Sequence, residues 1–161
     1  MSVAEAGLST LGVKFGYGVE TTAGTKPAAF SLLERINAIG GISISNEQID
    51  ASALEDYITR YVAGRSDTGG SVDITINYTD ETRGQWEALL TAYQALANGK
   101  RMWFETYHPK LTKAFFFVAQ PPSVLPQPEM AQNGLLTVAI PLVIEEFIGA
   151  DTAIEPTDTS A

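Results

Sequence analysis

The sequence predicts a mainly β chain with one flanking α-helix, and three features carry that reading. Residues 11–20 and 72–78 alternate apolar and polar side chains with period two. Two bulky apolar runs, RMWFETY at 101–107 and AFFFVA at 114–119, have the aromatic and β-branched bias of buried strands. Only residues 79–98 repeat their apolar positions at helical spacing. At 161 residues the chain is expected to form one domain and to bury roughly two thirds of its unfolded surface.

Residues 1–10 are small and polar and read as an N-terminal arm. In the first strand, Val13, Phe15, Tyr17 and Val19 share one face, and Lys14, Gly16, Gly18 and Glu20 the other. The glycines on that second face leave room for close approach. Gly12, Gly16 and Gly18 do not form a phosphate loop, because no Gly-Lys-Ser/Thr follows. Gly24 and Pro27 mark 21–29 as a turn-rich loop, 30–39 is open between helix and strand, and Gly40-Gly41 ends it. Ile42 and Ile44 against Ser43 and Ser45 predict a second short strand.

The stretch 49–67, IDASALEDYITRYVAGRSD, has neither strand alternation nor a clean helical stripe. It mixes Ile49, Leu54, Tyr57, Ile58, Tyr61 and Val62 with Asp50, Glu55, Asp56, Asp67, Arg60 and Arg65. Connections longer than about 12–15 residues are uncommon in compact domains, and apolar side chains in one need a partner surface. The expected partner is another copy of the chain, with an interaction loop spanning 46–70.

After Gly69-Gly70, Val72, Ile74, Ile76 and Tyr78 alternate with Asp73, Thr75, Asn77 and Thr79. The helix, expected over 80–98, has capping-box spacing at Thr82 and Gln85, acids Asp80 and Glu81 at its positive end, and a stripe of Trp86, Leu89, Leu90, Tyr93 and Leu96 before Asn98-Gly99. The two bulky strands flank the turn His108-Pro109-Lys110-Leu111, and a proline-rich loop covers 121–133. Residues 135–147 form the last strand, where Pro141 implies an edge or a bulge. The acidic, small-residue segment 150–161 reads as a flexible tail.

Ten Lys and Arg against nineteen Asp and Glu give a formal charge of −9, which opposes ordinary DNA affinity. Zero cysteines exclude disulfides, thiolate metal sites and a cysteine nucleophile. No secretory signal or membrane span is visible, so assembly in a cytoplasm is expected. His108 is the sole histidine, and no Gly-x-Ser-x-Gly elbow is present. The pairs Glu55-Asp56, Asp80-Glu81 and Glu145-Glu146 diverge in direction and read as solvated edges and caps. No catalytic, cofactor or metal site is expected. The polar strand faces are rich in Gly, Ser, Thr and Asn and thin in lysine, as suits sheet edges that join other subunits.

Taken together, TLGVKFGYGVETTAG at the start, ID-A-S-x-L at 49–54, YVAGRSDTGG at 61–70, and the strand, helix and strand order that follows resemble the major tail proteins, or tail tube proteins, of long-tailed phages. The similarity spans 8–149 and consists of spacing and residue character. It implies a tail-tube domain over 11–149, built as a β-sandwich or partial barrel that closes into a larger β-barrel when hexameric rings form and stack. It also implies a virion-tail location, with tape measure, tail tip and tail terminator proteins as further partners and no bound cofactor or membrane anchor. Residues 49–67 match by position the family's loop to adjacent subunits or rings, making Ile49, Asp50, Leu54, Tyr57, Ile58, Arg60, Tyr61 and Arg65 the interface candidates. The chain is expected to stop too early for the immunoglobulin-like domain of many relatives. The tube protein of a contractile or type VI-like secretion apparatus is the related alternative. A small-ligand-binding β-barrel or a hydrolase is the alternative from another class.

Duplex DNA carries one charge about every 1.7 Å of axis, so a conduit lined with lysine would hold it along its whole length. An acidic or neutral lining lets it pass without specific binding. Asp73, Thr75 and Asn77, with Ser43 and Ser45, are therefore the expected lumen-facing residues. The loop 49–67 and both termini are expected to order on docking.

Overall fold

A computed structural model describes residues 6–158, so the outermost parts of the expected arm (1–5) and tail (159–161) lie outside the described residues. The strands in order are β1 (Lys14–Val19), β2 (Ser31–Leu33), β3 (Ile36–Ile39), β4 (Ser45–Asp50), β5 (Tyr61–Asp67) and β6 (Ser71–Asn77). After α1 (Asp80–Gln94), the one helix among the described residues, come β7 (Met102–Tyr107), β8 (Lys113–Gln120) and β9 (Thr137–Thr152). The protein is mainly β. Seven strands form one antiparallel sheet in the order β2-β1-β7-β8-β9-β6-β3, and β4 and β5 pair only with each other. Neither sheet closes into a barrel.

The long strand β9 lets one sheet enclose a core. Its first half pairs with β6, from Thr137 opposite Asn77 to Val143 opposite Ser71, and its second half with β8, from Val143 opposite Gln120 to Thr152 opposite Lys113. The β8 ladder shifts register twice, between Phe116 and Phe117 and between Val118 and Ala119. Such bulges bend and twist a strand locally, and Gly149, at φ 92, takes the conformation that one of them requires. One buried cluster then joins Phe15, Phe104 and Phe117 of one half-sheet to Ile74, Ile76 and Ile140 of the other. Phe104 stacks on both neighbours, with ring centroids 5.7 Å from Phe15 and 5.5 Å from Phe117.

Pro141 fits this arrangement without losing a ladder bond. Ile144 N–H donates to Gly70 O and Tyr78 N–H to Leu136 O, so the even-numbered residues of β9 carry the bonds to β6. Pro141, opposite Asp73, points its missing donor to the side where β8 has already ended. The neighbourhood is a one-sided edge, as the sequence implies.

Helix α1 caps one end of the core with Trp86, Leu89 and Leu90. Its capping box lies one turn before the expected one: Thr79 Oγ1 accepts from Thr82 N–H (3.2 Å), and Thr82 Oγ1 accepts from Thr79 N–H (2.8 Å). The helix also ends at Gln94 rather than 98, because Leu96 N–H bonds Tyr93 O and tightens the chain into a turn.

Three further expectations are corrected, and one open stretch resolves. The stretch 49–67 is largely a β-hairpin, with Ile49 opposite Val62 and Asp50 opposite Tyr61. The strand expected at 42–45 starts only at Ser45, which opens β4. The open stretch 30–39 resolves into β2 and β3, separated by Glu34 and by Arg35 at φ 57. Beyond Gly149 the chain continues in β9 to Thr152, and 153–157 then lies across the outer face of β1, β7 and β8.

Replacing Phe104 by Ala is expected to cost about 3–5 kcal/mol, seen in urea unfolding as a lower midpoint with an unchanged slope.

Candidate assembly surfaces

The hairpin of β4 and β5 gathers Ile49, Leu54, Tyr57, Ile58, Tyr61 and Val62, all exposed. Every residue of β4 is exposed, and on β5 only Gly64 is partly covered. Its tip is held by polar bonds within itself. Asp50 Oδ1 accepts from Ser52 N–H (2.9 Å), and Asp56 Oδ2 accepts from Ala53 N–H (2.8 Å). Arg60 donates to Asp56 through Nε (3.2 Å) and to Ser52 Oγ through its backbone N–H (2.8 Å). The Ser52 N–H also holds the Asp50 carboxyl below its ordinary range. With Asp50 and Asp56 bonded inside it, the tip presents Leu54 (109% exposed), Tyr57 (104%) and Ile58 (79%) to solvent. Of the expected interface residues, Ile49 and Asp50 sit on β4, Tyr61 and Arg65 on β5, and the other four in the tip. Asp50 and Arg60 are partly engaged inside the tip, whereas Arg65 makes no ion pair among the described residues.

The outward face of β6 carries Asp73, Thr75 and Asn77, opposite Pro141, Ala139 and Thr137 of β9. Asn37 of β3 extends this face through a 3.0 Å bond from its Nδ2 to Asn77 Oδ1. No Lys or Arg belongs to these strand positions. Ser43 and Ser45 are placed elsewhere: Ser43 lies in the connection after β3, and Ser45 opens β4 in the other sheet.

A groove of about 950 Å³ opens beside β3, floored by Phe115, Phe117 and Phe147, and its lining contains no ionisable side chain. His108 stands at its margin. Nδ1 accepts from Lys110 N–H (3.1 Å), so Nε2 carries the proton that it donates to Ser9 O (2.6 Å). The imidazole thus tethers the segment before β1.

The opposite face of β1, β7 and β8 holds a second cluster of Phe30, Trp103, Phe116 and Val118, packed against Ile154. Two carboxylates are buried in this region, and sequence reasoning placed neither there. Glu20 accepts from Arg101 N–H (2.8 Å) and Trp103 Nε1 (2.9 Å). Burial alone pushes its carboxyl up, but these donors, the Gly24 N–H and the Arg101 guanidinium together hold it below its ordinary value. Glu105 differs. Its Oε2 accepts from Ile154 N–H (2.9 Å), while Oε1 has no partner. Burial drives its pKa to about 7, against the smaller opposing pulls of that N–H and of Lys26. The available signal was a lone acid directly after the apolar run Met102 to Phe104 of β7.

No protein-family model matches the chain, and no curated protein matches it. Among solved structures the chain is similar to one described as "Cryo-EM structure of the anti-feeding prophage (AFP) baseplate, 6-fold symmetrised". The identity is 10%, the alignment covers 91% of this chain and 95% of that one, and the TM-score is 0.49. A likeness at that level assigns no role.

Glu105 makes stability depend on pH near neutrality. Its folded pKa of about 7 lies above the unfolded 4.5. Its contribution is therefore fully present below about pH 4.5 and is lost as pH rises through about 7, worth roughly 3 kcal/mol in all. Thermal melts between pH 6 and 8.5 are expected to show a falling midpoint, and Glu105→Gln to flatten the fall. An equal slope in both proteins would contradict this assignment.

Proposed function

We propose that this protein is a structural subunit of a phage tail tube, assembling as hexameric rings that stack into a hollow conduit for DNA, and that it is not an enzyme. The observation that carries the reading is the hairpin tip, where Leu54, Tyr57 and Ile58 stand in solvent on an arm belonging to no other sheet. A two-stranded hairpin is marginal alone in water, and an apolar patch at its end marks a contact surface. The tail-tube resemblance in the sequence places an intersubunit loop at this position. Two further features support the reading. The seven-stranded sheet is open, so its edges can pair between copies, and the outward face of β6 has one carboxylate and no cation. The groove beside β3 is where a small-ligand reading would place its ligand, but its lining offers no charged group to orient one.

Partners on this reading are further copies of the chain and the tape measure, tip and terminator proteins of a tail, with duplex DNA passing unbound. Negative-stain microscopy and sedimentation of the concentrated protein are expected to give six-fold rings or hollow tubes. The double variant Tyr57→Ser/Ile58→Ser is expected to keep the wild-type melting curve and lose assembly. Monodisperse monomer at every concentration would overturn the proposal, and a small molecule seated in the groove would favour the ligand-binding reading in its place. In assembled particles, Asp73→Lys should leave tube morphology intact and slow DNA release. Unchanged release kinetics would remove β6 from the lumen.

A further inference from the structure

The seven-stranded sheet has two outer edges, and they differ. The outer edge of β3 is bare among the described residues, facing the groove. The outer edge of β2 is taken by the chain's own C-terminal segment. Thr157 N–H donates to Phe30 O (3.0 Å), Leu32 N–H donates to Thr157 O (2.8 Å), and Ser31 and Thr157 form a parallel bridge. To reach that edge, residues 153–157 cross the sheet face. Ile154 N–H is held by Glu105, Lys14 Nζ meets Glu155 Oε1 at 2.7 Å, and Pro156 is buried over Gly16. A Cβ on Gly16 would come within 2.9 Å of both Pro156 and Ser31 O, so the glycine is what lets the segment lie flat.

We propose that residues 153–157 are a self-inhibitory strap whose end is the latch: Thr157 occupies the β2 edge of the free subunit and must leave before the β3 edge of a second copy can pair there, while Ile154 and Pro156 keep their places over β7. The inference rests on the tube reading above. A cyclic ring uses heterologous contacts, so each copy needs two different complementary surfaces. Pairing β3 of one copy with β2 of the next supplies them, and both strands are short. Two bare edges on one chain would join wherever copies met. With one edge covered, joining waits for the strap. The hold of its end on the edge is of a kind that can be released: two backbone bonds at Thr157, beside an ion pair of Glu155 with Lys14 in which both partners are exposed.

The double variant Ser31→Cys/Thr157→Cys tests this, since bridged residues on adjacent strands lie within disulfide reach and the chain has no other cysteine. The oxidised variant is expected to remain monomeric by sedimentation at concentrations where wild type forms rings, and reductant to restore the rings. Oxidised protein that assembles as wild type does would overturn the strap. If neither wild type nor reduced variant leaves the monomer, the tube reading itself fails and takes the strap with it. Glu155→Lys, which sets like charges together without touching the core, provides an independent arm. It is expected to shorten the assembly lag by about two- to fivefold, and an unchanged lag would count against the proposal.

Discussion

The fold depends on covering both faces of β7. Met102, Trp103, Phe104 and Glu105 are all buried, so two separate layers must lie against one strand. The inner layer comes from the other half of the sheet and from α1, and gathers Phe15, Phe104, Phe117 and Trp86. The outer layer is built from loop and tail: Phe30, with Pro27 against Gly18, and Ile154, with Pro156 against Gly16. Without glycine at 16 and 18 the outer layer could not come close enough. Without that layer, Trp103 and Phe116 would be left in water.

This two-sided demand also explains the unusual electrostatics of the outer face. Lys26 reaches over the layer, sitting 4.0 Å from the Phe116 ring centre while donating to Thr152 O and pairing with Asp151. Glu105 lies beneath, where the segment that buries it also supplies its one hydrogen bond. Covering the strand and desolvating the carboxyl are a single event, so the proton equilibrium of one side chain is tied to the position of the chain's last described residues.

Elements with a core face were legible in the sequence because burial imposes periodicity. Val72, Ile74 and Ile76 had to alternate, Trp86 and Leu89 had to recur along a helix, and Met102 to Phe104 of β7 had to be apolar without a break. The hairpin of β4 and β5 was not legible as strands for the converse reason. Both of its faces are exposed, so Ile49, Asp50, Tyr61 and Val62 obey no alternation and the register is set by backbone pairing and the tip. Its content of apolar residues in need of a partner surface was easier to read, since they leave a compositional mark whatever their backbone does. The strap escaped because small acidic residues read as solvated. Its position depends on Gly16, Glu105 and the β2 edge, all far from it in sequence.

Strand β9 has a mechanical consequence. It is laddered to β6 along one half and to β8 along the other, and both partners run antiparallel to it. A pull along its axis loads many hydrogen bonds side by side in shear, whereas a pull across it would open them one at a time like a zipper. The half-sheets on either side of the bend therefore act as a single tensile member along the direction in which β9 runs.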